Sequence, residues 1–375
     1  MASNGSASFQ QHFHELTDPR VERTRKHPLI NIVFIAVCGV LSGANSIAAI
    51  HEFALDRRSW YARYLDLTNG IPSEDTIGRV LARLDPGAFE KGLLSWVQAV
   101  REVTAHRLVA IDGKTLRGSA DQERGRAAIH MVSAWATENE LSLGQVVVGE
   151  KTNEITAIPE LLQLLEISGA LVTIDAMGCQ KVIADQIRER EADYALAVKE
   201  NQPSLYEEVR GGITQALGQD AGEIAEHQTV ETGHGRQEVR TYANIPKPES
   251  VDPEGQWRDL CAVGMAISDR VDAQGRESVE ARYYILSRLI SAQEFAKAVR
   301  GHWGIENDPH WQLDVGFRED ECRVCRDHTP ANLSVIRRFA LGLLKRETSC
   351  RKGIEIKRMK CAANDEYRKN VLFKC

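Results

Sequence analysis

Two short apolar runs constrain this chain more than anything else in it: Leu108-Val-Ala-Ile and Leu171-Val-Thr-Ile, each followed at once by an aspartate, Asp112 and Asp175. Each run has the character of a buried strand bounded by polar turns. An acid directly after such a strand sits at the carboxyl edge of a sheet, on a rigid element that faces a cleft. Between the two acids, residues 129–137 and 143–148 read as further strands and 155–167 as a helix. Beyond the second acid come helical texture over 181–190 and another buried strand over 194–198. Strands interleaved with helices imply an α/β core.

Upstream the pattern is helical from about residue 13 to 84. Leu29, Ile32, Val33 and Ala36 recur at helical spacing, and so do Ile47, Ile50, Phe53 and Ala54. Ser73 can cap a third helix whose apolar face is Ile77, Val80, Leu81 and Leu84, and Asp85-Pro86-Gly87 closes it. With Arg79 and Arg83 on one face, the three helices suit a helix-turn-helix that reads DNA, and suit a packing or dimerisation module equally well. Residues 1–12 are expected as a disordered tail and 13–100 as the N-terminal helical domain. Downstream, 203–290 is mixed, with strand-like 238–242, 260–267 and 281–286, and helical texture returns from 291 to 346.

Composition matters where it excludes. With 375 residues, 43% of them hydrophobic and 27% charged, the chain is globular and long enough for two or three domains. A net charge of −6 argues against a protein that simply coats nucleic acid, although DNA responds to local charge rather than to the average. Residues 351–375 hold eight Lys or Arg against three acids, so 347–375 reads as a basic C-terminal tail, either a phosphate collector or a solvated extension. The longest apolar run, 29–41, is too short to span a bilayer comfortably, and the N-terminus lacks a signal-peptide layout. Eight irregularly spaced cysteines suit reduced thiols, hence a cytoplasmic location and no membrane partner. Cys322 and Cys325, with His328 close behind, form the one tempting zinc motif; it needs further ligands, and Cys350 and Cys361 are the later cysteines nearest in sequence.

Two neighbouring acids repel unless a cation lies between them, so Asp112 and Asp175 are candidates to bind Mg²⁺ or Mn²⁺ through oxygen; acids of this kind also occur as plain turn residues. Gly113 is expected to let the backbone turn after the first acid. Lys114 and Arg117 follow closely, placed to meet phosphate or simply solvent. The polar loop holding Lys199 and Asn201 admits the same two readings. A third constellation runs from Arg300 to Asp314. On a continuous helix His302, Glu306 and His310 share a face, charged residues here lie between Trp303 and Trp311, and Pro309 interrupts regular helix.

Taken together, these stretches resemble the H-repeat-associated insertion-sequence transposases of the DDE superfamily, whose core is ribonuclease H-like. The resemblance rests on Ala110-Ile-Asp-Gly-Lys-Thr-Leu-Arg-Gly118, Val172-Thr-Ile-Asp-Ala-Met-Gly-Cys-Gln180, Ala197-Val-Lys-Glu-Asn-Gln202, and His302-Trp-Gly-Ile-Glu-Asn307 with Leu313-Asp314. It extends to Asp18-Pro-Arg20, Lys26-His-Pro28 and residues 332–345.

The resemblance implies an α/β fold: a ribonuclease H-like mixed sheet flanked by helices over 101–346, with a β-rich insertion at about 203–290 before the last acid. It implies Asp112, Asp175 and Glu306 as catalytic, metal-binding residues for two Mg²⁺ ions, with Mn²⁺ as substitute. The activity implied is cleavage at insertion-sequence ends and strand transfer into target DNA. A catalytically inert DNA-binding descendant and a nuclease without strand transfer are the alternatives. The implied partners are double-stranded DNA (terminal inverted repeats and target) and a second copy of the chain, with nucleoid association when DNA is bound. His302 and Asn307 join Lys114, Arg117, Lys199, Asn201, Arg79 and Arg83 as candidate DNA contacts. Related transposases show Y-x2-R-x3-E-x6-K around the last acid, whereas this chain has Val299, His302, Glu306 and Leu313, so only the glutamate matches.

Overall fold

The computed structural model describes residues 9–100, 108–120, 127–138, 141–149, 153–218, 224–233 and 236–373. Its centre is a nine-stranded mixed sheet ordered β3-β2-β1-β4-β5-β9-β8-β7-β6. Strands β1 (Leu108–Leu116), β2 (Ile129–Ala136) and β3 (Leu141–Val148) form an antiparallel meander. The short strands β4 (Leu171–Ile174) and β5 (Asp193–Val198) run parallel to β1. The runs Leu108–Ile111 and Leu171–Ile174 are buried throughout, as central strands covered on both faces must be. The mixed α/β sheet flanked by helices that the sequence led us to expect is therefore present.

Gly113 makes no turn. Strand β1 continues through it to Leu116, and a Cβ at position 113 would lie 2.1 Å from the Glu154 carboxylate and 2.8 Å from the His130 ring, so a side chain there would have to displace the ends of those two side chains. Helix α6 (Glu154–Leu164), started by a reciprocal Asn153–Thr156 capping box, packs on β2 and β3.

Residues 203–290 are less purely β than expected. They open with a helix, α8 (Pro203–Gly218), which follows α7 (Lys181–Glu189) and packs on β8 and β9. The segment then supplies β6 (Glu226–Gly233), β7 (Arg236–Pro246), β8 (Ala262–Val271) and β9 (Glu277–Leu286). Because β9 pairs antiparallel with β5, the insertion extends the central sheet instead of standing apart. Helix α9 (Ala292–Ile305) then crosses back over β7 and β8 to β4 and β1, its Phe295 packed edge-on against Tyr284 and Tyr242. Two π-helical turns follow, Glu306–His310 and Gln312–Gly316. Pro309 sits inside the first. It has no amide to give back to Ile305, so the chain stays helical there only by widening its turns.

The remaining helices form a bundle beside β3. It comprises α1 (Leu29–Leu41), α2 (Ile47–Asp56), α3 (Arg58–Tyr61), α4 (Glu74–Arg83), α5 (Pro86–Val100), α10 (Thr329–Arg346), α11 (Ile354–Ala363) and α12 (Asp365–Phe373). Asp85-Pro86 ends α4 and also starts α5, with the Asp85 carboxylate accepting from the Ala88 amide at 2.8 Å. Helix α10 touches α1, α4, α5 and β3, so it belongs to the bundle as much as to the sheet.

Two expectations about the termini are corrected. Residues 9–12 are not a disordered tail: Phe9 is buried against Phe13, Phe34 and Trp96, because an aromatic of that size stabilises far more inside than in water. The stretch expected as a basic tail folds into α11 and α12, and Lys357, Arg358 and Arg368 are buried. Phe373 stacks on Phe34 and Tyr64, which fastens α12 to the rest of the bundle. Among the described residues the main hydrophobic cluster draws on the chain from Phe9 to Leu372, and a second gathers under α9 around Tyr242, Tyr284 and Phe295.

Candidate active site

The register of β1 and β4 brings the two aspartates together. Ala110 pairs with Thr173 and Ile111 with Ile174, the last rung of that parallel ladder, and Asp112 and Asp175 are the next residues of the two segments. Neighbouring strands lie about 4.8 Å apart, so the two aspartates follow the end of the β1–β4 ladder on adjacent segments, Asp112 inside β1 where it still pairs with Ser133 of β2, and Asp175 just past β4.

Asp175 caps the 3₁₀ turn Ala176–Gly178, its carboxylate accepting from the Gly178 amide at 3.3 Å. That turn is fastened from the β5–α8 loop. Asn201 Nδ2 donates to the Ala176 carbonyl at 2.7 Å, and Gln202 Nε2 donates to the Cys179 carbonyl at 2.9 Å. Asn201, expected to face DNA, thus has its amide nitrogen engaged in holding the turn beside Asp175. Gln202 was missed as a site residue, although it lies in one of the stretches that carry the resemblance.

Asp112 accepts from the Gly113 amide at 2.9 Å, and its Oδ2 lies 3.5 Å from His310 Nδ1. His302 reaches the other side of the site, with Nδ1 3.4 Å from Thr173 Oγ1. Burial pushes the His302 imidazole down to about 4, although the nearby Asp175 charge pulls the other way. Burial pushes His310 to about 3, assisted by the Arg338 and Lys114 charges. Both rings are therefore neutral at pH 7. The two histidines bracket Glu306, which opens the first π-helical turn; the side chains of Glu306 and Asn307 lie outside the described residues.

Lys114 is a correction. It lies on the same face of β1 as Asp112 but is buried, and its ammonium contacts Asp314 at 2.5 Å and Glu319 at 3.3 Å, which leaves nothing for a phosphate. Arg117 is exposed, with Nε 3.8 Å from Asp320; Lys199, Arg79 and Arg83 are exposed as well. Arg79 and Arg83 stand on the solvent side of α4, opposite the buried Ile77, Val80 and Leu81.

A cavity of about 610 Å³ opens beside Asp175, lined by Lys199, Asn201, Tyr206, Arg282, His302 and Trp303 among others. The Arg282 guanidinium lies 3.7 Å over the Trp303 ring. Among the described residues no three His, Cys, Asp or Glu side chains gather to hold a metal, so Cys322 and Cys325 are not joined there by Cys350 and Cys361 into a zinc site.

Comparison with known proteins shows the family to which the chain belongs. Residues 104–341 match the family described as "Transposase DDE domain", and residues 10–97 match the one described as "DDE_Tnp_1-associated". The "Putative transposase YncI" of Escherichia coli O157:H7 is 42% identical over 365 residues, 96% of this chain and 93% of its own length. The "H repeat-associated putative transposase YhhI" of Escherichia coli strain K12 is 36% identical over 371 residues, 97% of each chain. A solved piggyBac transposase synaptic complex with hairpin DNA aligns with 99% of this chain and 82% of its own at 10% identity, with a TM-score of 0.38. With family matches over both halves and relatives aligned almost end to end, this chain belongs to the H repeat-associated transposases of the DDE family.

Proposed function

We propose that this protein cuts DNA at the ends of an insertion sequence and joins the freed 3′ ends to target DNA, with two Mg²⁺ ions held by Asp112, Asp175 and Glu306. The observation that carries the reading is the β1–β4 register, in which Asp112 and Asp175 each come one residue past the last rung of the same parallel ladder. Neighbouring carboxylates repel, and an oxygen-seeking cation relieves that repulsion. The nearest lysine on that face, Lys114, is tied to Asp314 and Glu319 instead. His302 and His310 flank Glu306 in sequence and contact the Asp175 and Asp112 sides of the edge, which supports Glu306 as the third ligand. Bound there, Mg²⁺ or Mn²⁺ would lower the pKa of an attacking water or 3′ hydroxyl and stabilise charge on the leaving oxygen.

The chain's own residues do the holding. The Ala176–Gly178 turn, pinned by Asn201 and Gln202, fixes the Asp175 carboxylate. Neutral His302 and His310 add no positive charge to compete with a metal. The exposed cations Arg117, Lys199, Arg79 and Arg83 are available to phosphates, and such contacts make DNA binding salt-dependent. Two ends must meet for transposition, so a dimer on DNA at the nucleoid is the expected working form.

The test is a labelled DNA end incubated with purified protein and Mg²⁺, comparing wild type with Asp112→Asn, Asp175→Asn and Glu306→Gln. Nicked and joined products are expected from wild type alone. DNA that shifts but is never nicked would instead make the protein an inert binder, and nicking without joining would make it a nuclease.

A further inference from the structure

We propose that Lys114 is a positioning residue that clamps the π-helical segment starting at Glu306 to the strand carrying Asp112. This rests on the reading of Asp112 and Glu306 as metal ligands.

Lys114 follows Asp112 by two residues on the same face of β1, and only 7% of its side chain is exposed. Its ammonium reaches three groups spread along a single downstream stretch. These are the His310 carbonyl at 3.4 Å, Asp314 Oδ1 at 2.5 Å and Glu319 Oε2 at 3.3 Å. The first closes the first π-helical turn, the second lies in the second turn, and the third lies just past it. A lysine suits this task because its ammonium is a compact charge with three donors pointing in different directions.

The far end of the clamp is itself anchored. Glu319 is buried, accepts from Ser334 Oγ at 2.9 Å and lies 3.8 Å from Arg337, both on α10. The segment so gripped needs external support. Pro309 removes one of its amide donors, and widened helical turns are rare in proteins and usually confined to single turns. Here two occur in succession. One side chain therefore ties the strand of the first acid to the segment that begins at the third.

A surface ion pair adds little to stability and positions nothing, whereas a buried ammonium that donates to two acceptors and pairs by charge with a third group fixes distances. The bland alternative is that Lys114 merely neutralises Glu319. A phosphate-binding role is the other alternative, and it makes different predictions.

The experiment uses full-length protein carrying Lys114→Met, with Asp314→Asn as a second variant that breaks the clamp at its half-exposed end. In both, hydrogen exchange over 306–316 is expected to speed up at least tenfold, while peptides from α1 and α10 exchange as in wild type. Mn²⁺ titrated without DNA is expected to bind at least fivefold more weakly. Affinity for the DNA end stays unchanged, and raising Mn²⁺ restores part of the lost cleavage, an effect that general destabilisation does not give.

Wild-type exchange at 306–316, or acceleration spread equally over α1 and α10, overturns the clamp. So does weaker DNA binding with normal Mn²⁺ affinity, which would make Lys114 a phosphate contact after all. A wild-type protein that binds Mn²⁺ and shows the local exchange effect in its variants, yet never cuts DNA, removes the transposase activity and leaves the clamp standing. A wild type that binds no Mn²⁺ removes both.

Discussion

His310 Nδ1 stands 3.5 Å from Asp112 Oδ2, and the ring's other nitrogen is buried without a hydrogen-bond partner among the described residues. A neutral imidazole has one N–H, and the Asp112 carboxylate lies within reach of Nδ1. If Asp112 holds a metal, His310 orients it from behind. Groups in that position typically change metal affinity or activity roughly 10- to 100-fold when removed. His310→Ala should slow end cleavage by that factor at fixed Mg²⁺. The nitrogen of an asparagine side chain falls close to Nδ1 and that of a glutamine close to Nε2. His310→Asn should therefore keep most of the activity and His310→Gln should resemble alanine. Equal rates for the asparagine and glutamine variants would show that the Nδ1 contact does not matter.

The two buried runs were legible because strand burial is local: Leu108–Ile111 and Leu171–Ile174 needed no partner to be recognised, although Asp175 ends its strand and Asp112 does not, since β1 runs on to Leu116. The histidines around Glu306 were legible as a stripe. Their contacts were not, because the turn containing Pro309 is π-helical and its geometry depends on what grips it from outside. Lys114 was misread for the same reason. Its sequence neighbours are Gly113 and Thr115, whereas its ionic partners lie 200 residues away at Asp314 and beyond. Charge count likewise suggested a free basic tail, since nothing local reveals that Arg358 finds its acceptor at Val40, 318 residues upstream.

Asn332 joins the bundle to itself. Its Nδ2 donates to the Leu81 carbonyl at 2.7 Å and to the Leu84 carbonyl at 3.0 Å, at the C-terminal end of α4, and all of these bonds are buried. Helix ends carry carbonyls with no intrahelical partner, so Asn332 replaces what water would supply at a surface. Asn332→Ala should cost about 2–4 kcal/mol, mostly from leaving those carbonyls unsatisfied. Urea unfolding measures it; a loss under about 0.5 kcal/mol, the range of ordinary surface substitutions, would mean that the carbonyls find other donors.

Glu90 on α5 predicts a pH effect. It is buried and accepts from the Gln145 amide of β3 at 2.9 Å, and burial pushes its carboxyl up to about 8. The unfolded value is 4.5, so between pH 4.5 and about 8 the folded state keeps a proton that the unfolded state releases. Stability from this group is therefore greatest below that window and falls as pH rises through it, by at most about 1.4 kcal/mol per pH unit. Glu90→Gln removes the titration. Its stability relative to wild type should rise between pH 5 and pH 8 by a few kcal/mol, whatever its absolute level. Parallel urea midpoints at the two pH values would show that Glu90 does not carry the effect.

Arg358 decides whether the C-terminal basic residues serve DNA or the fold. It is buried on α11 and donates to the Val40 carbonyl at the end of α1 at 2.9 Å and to Asn45 Oδ1 at 2.9 Å. It also donates to the Gly316 carbonyl of the second π-helical turn, and its guanidinium lies 4.2 Å over the Phe317 ring. Burial brings it down to about 10, so it stays charged at neutral pH. Arg358→Met keeps the packing volume and deletes every donor, stranding three acceptors: one on α1, one in the loop after it and one in the second π-helical turn. Losses of about 1–3 kcal/mol for each buried unsatisfied group, reduced at Asn45 and Gly316 where the bonds are only partly buried, predict a destabilisation of roughly 3–6 kcal/mol. A phosphate-contacting arginine behaves in the opposite way: its loss leaves the urea midpoint in place and reduces the salt dependence of DNA binding. If Arg358→Met unfolds at the wild-type midpoint but binds a DNA end with a shallower salt slope, the C-terminal helices are a DNA surface and not the closing wall of the bundle.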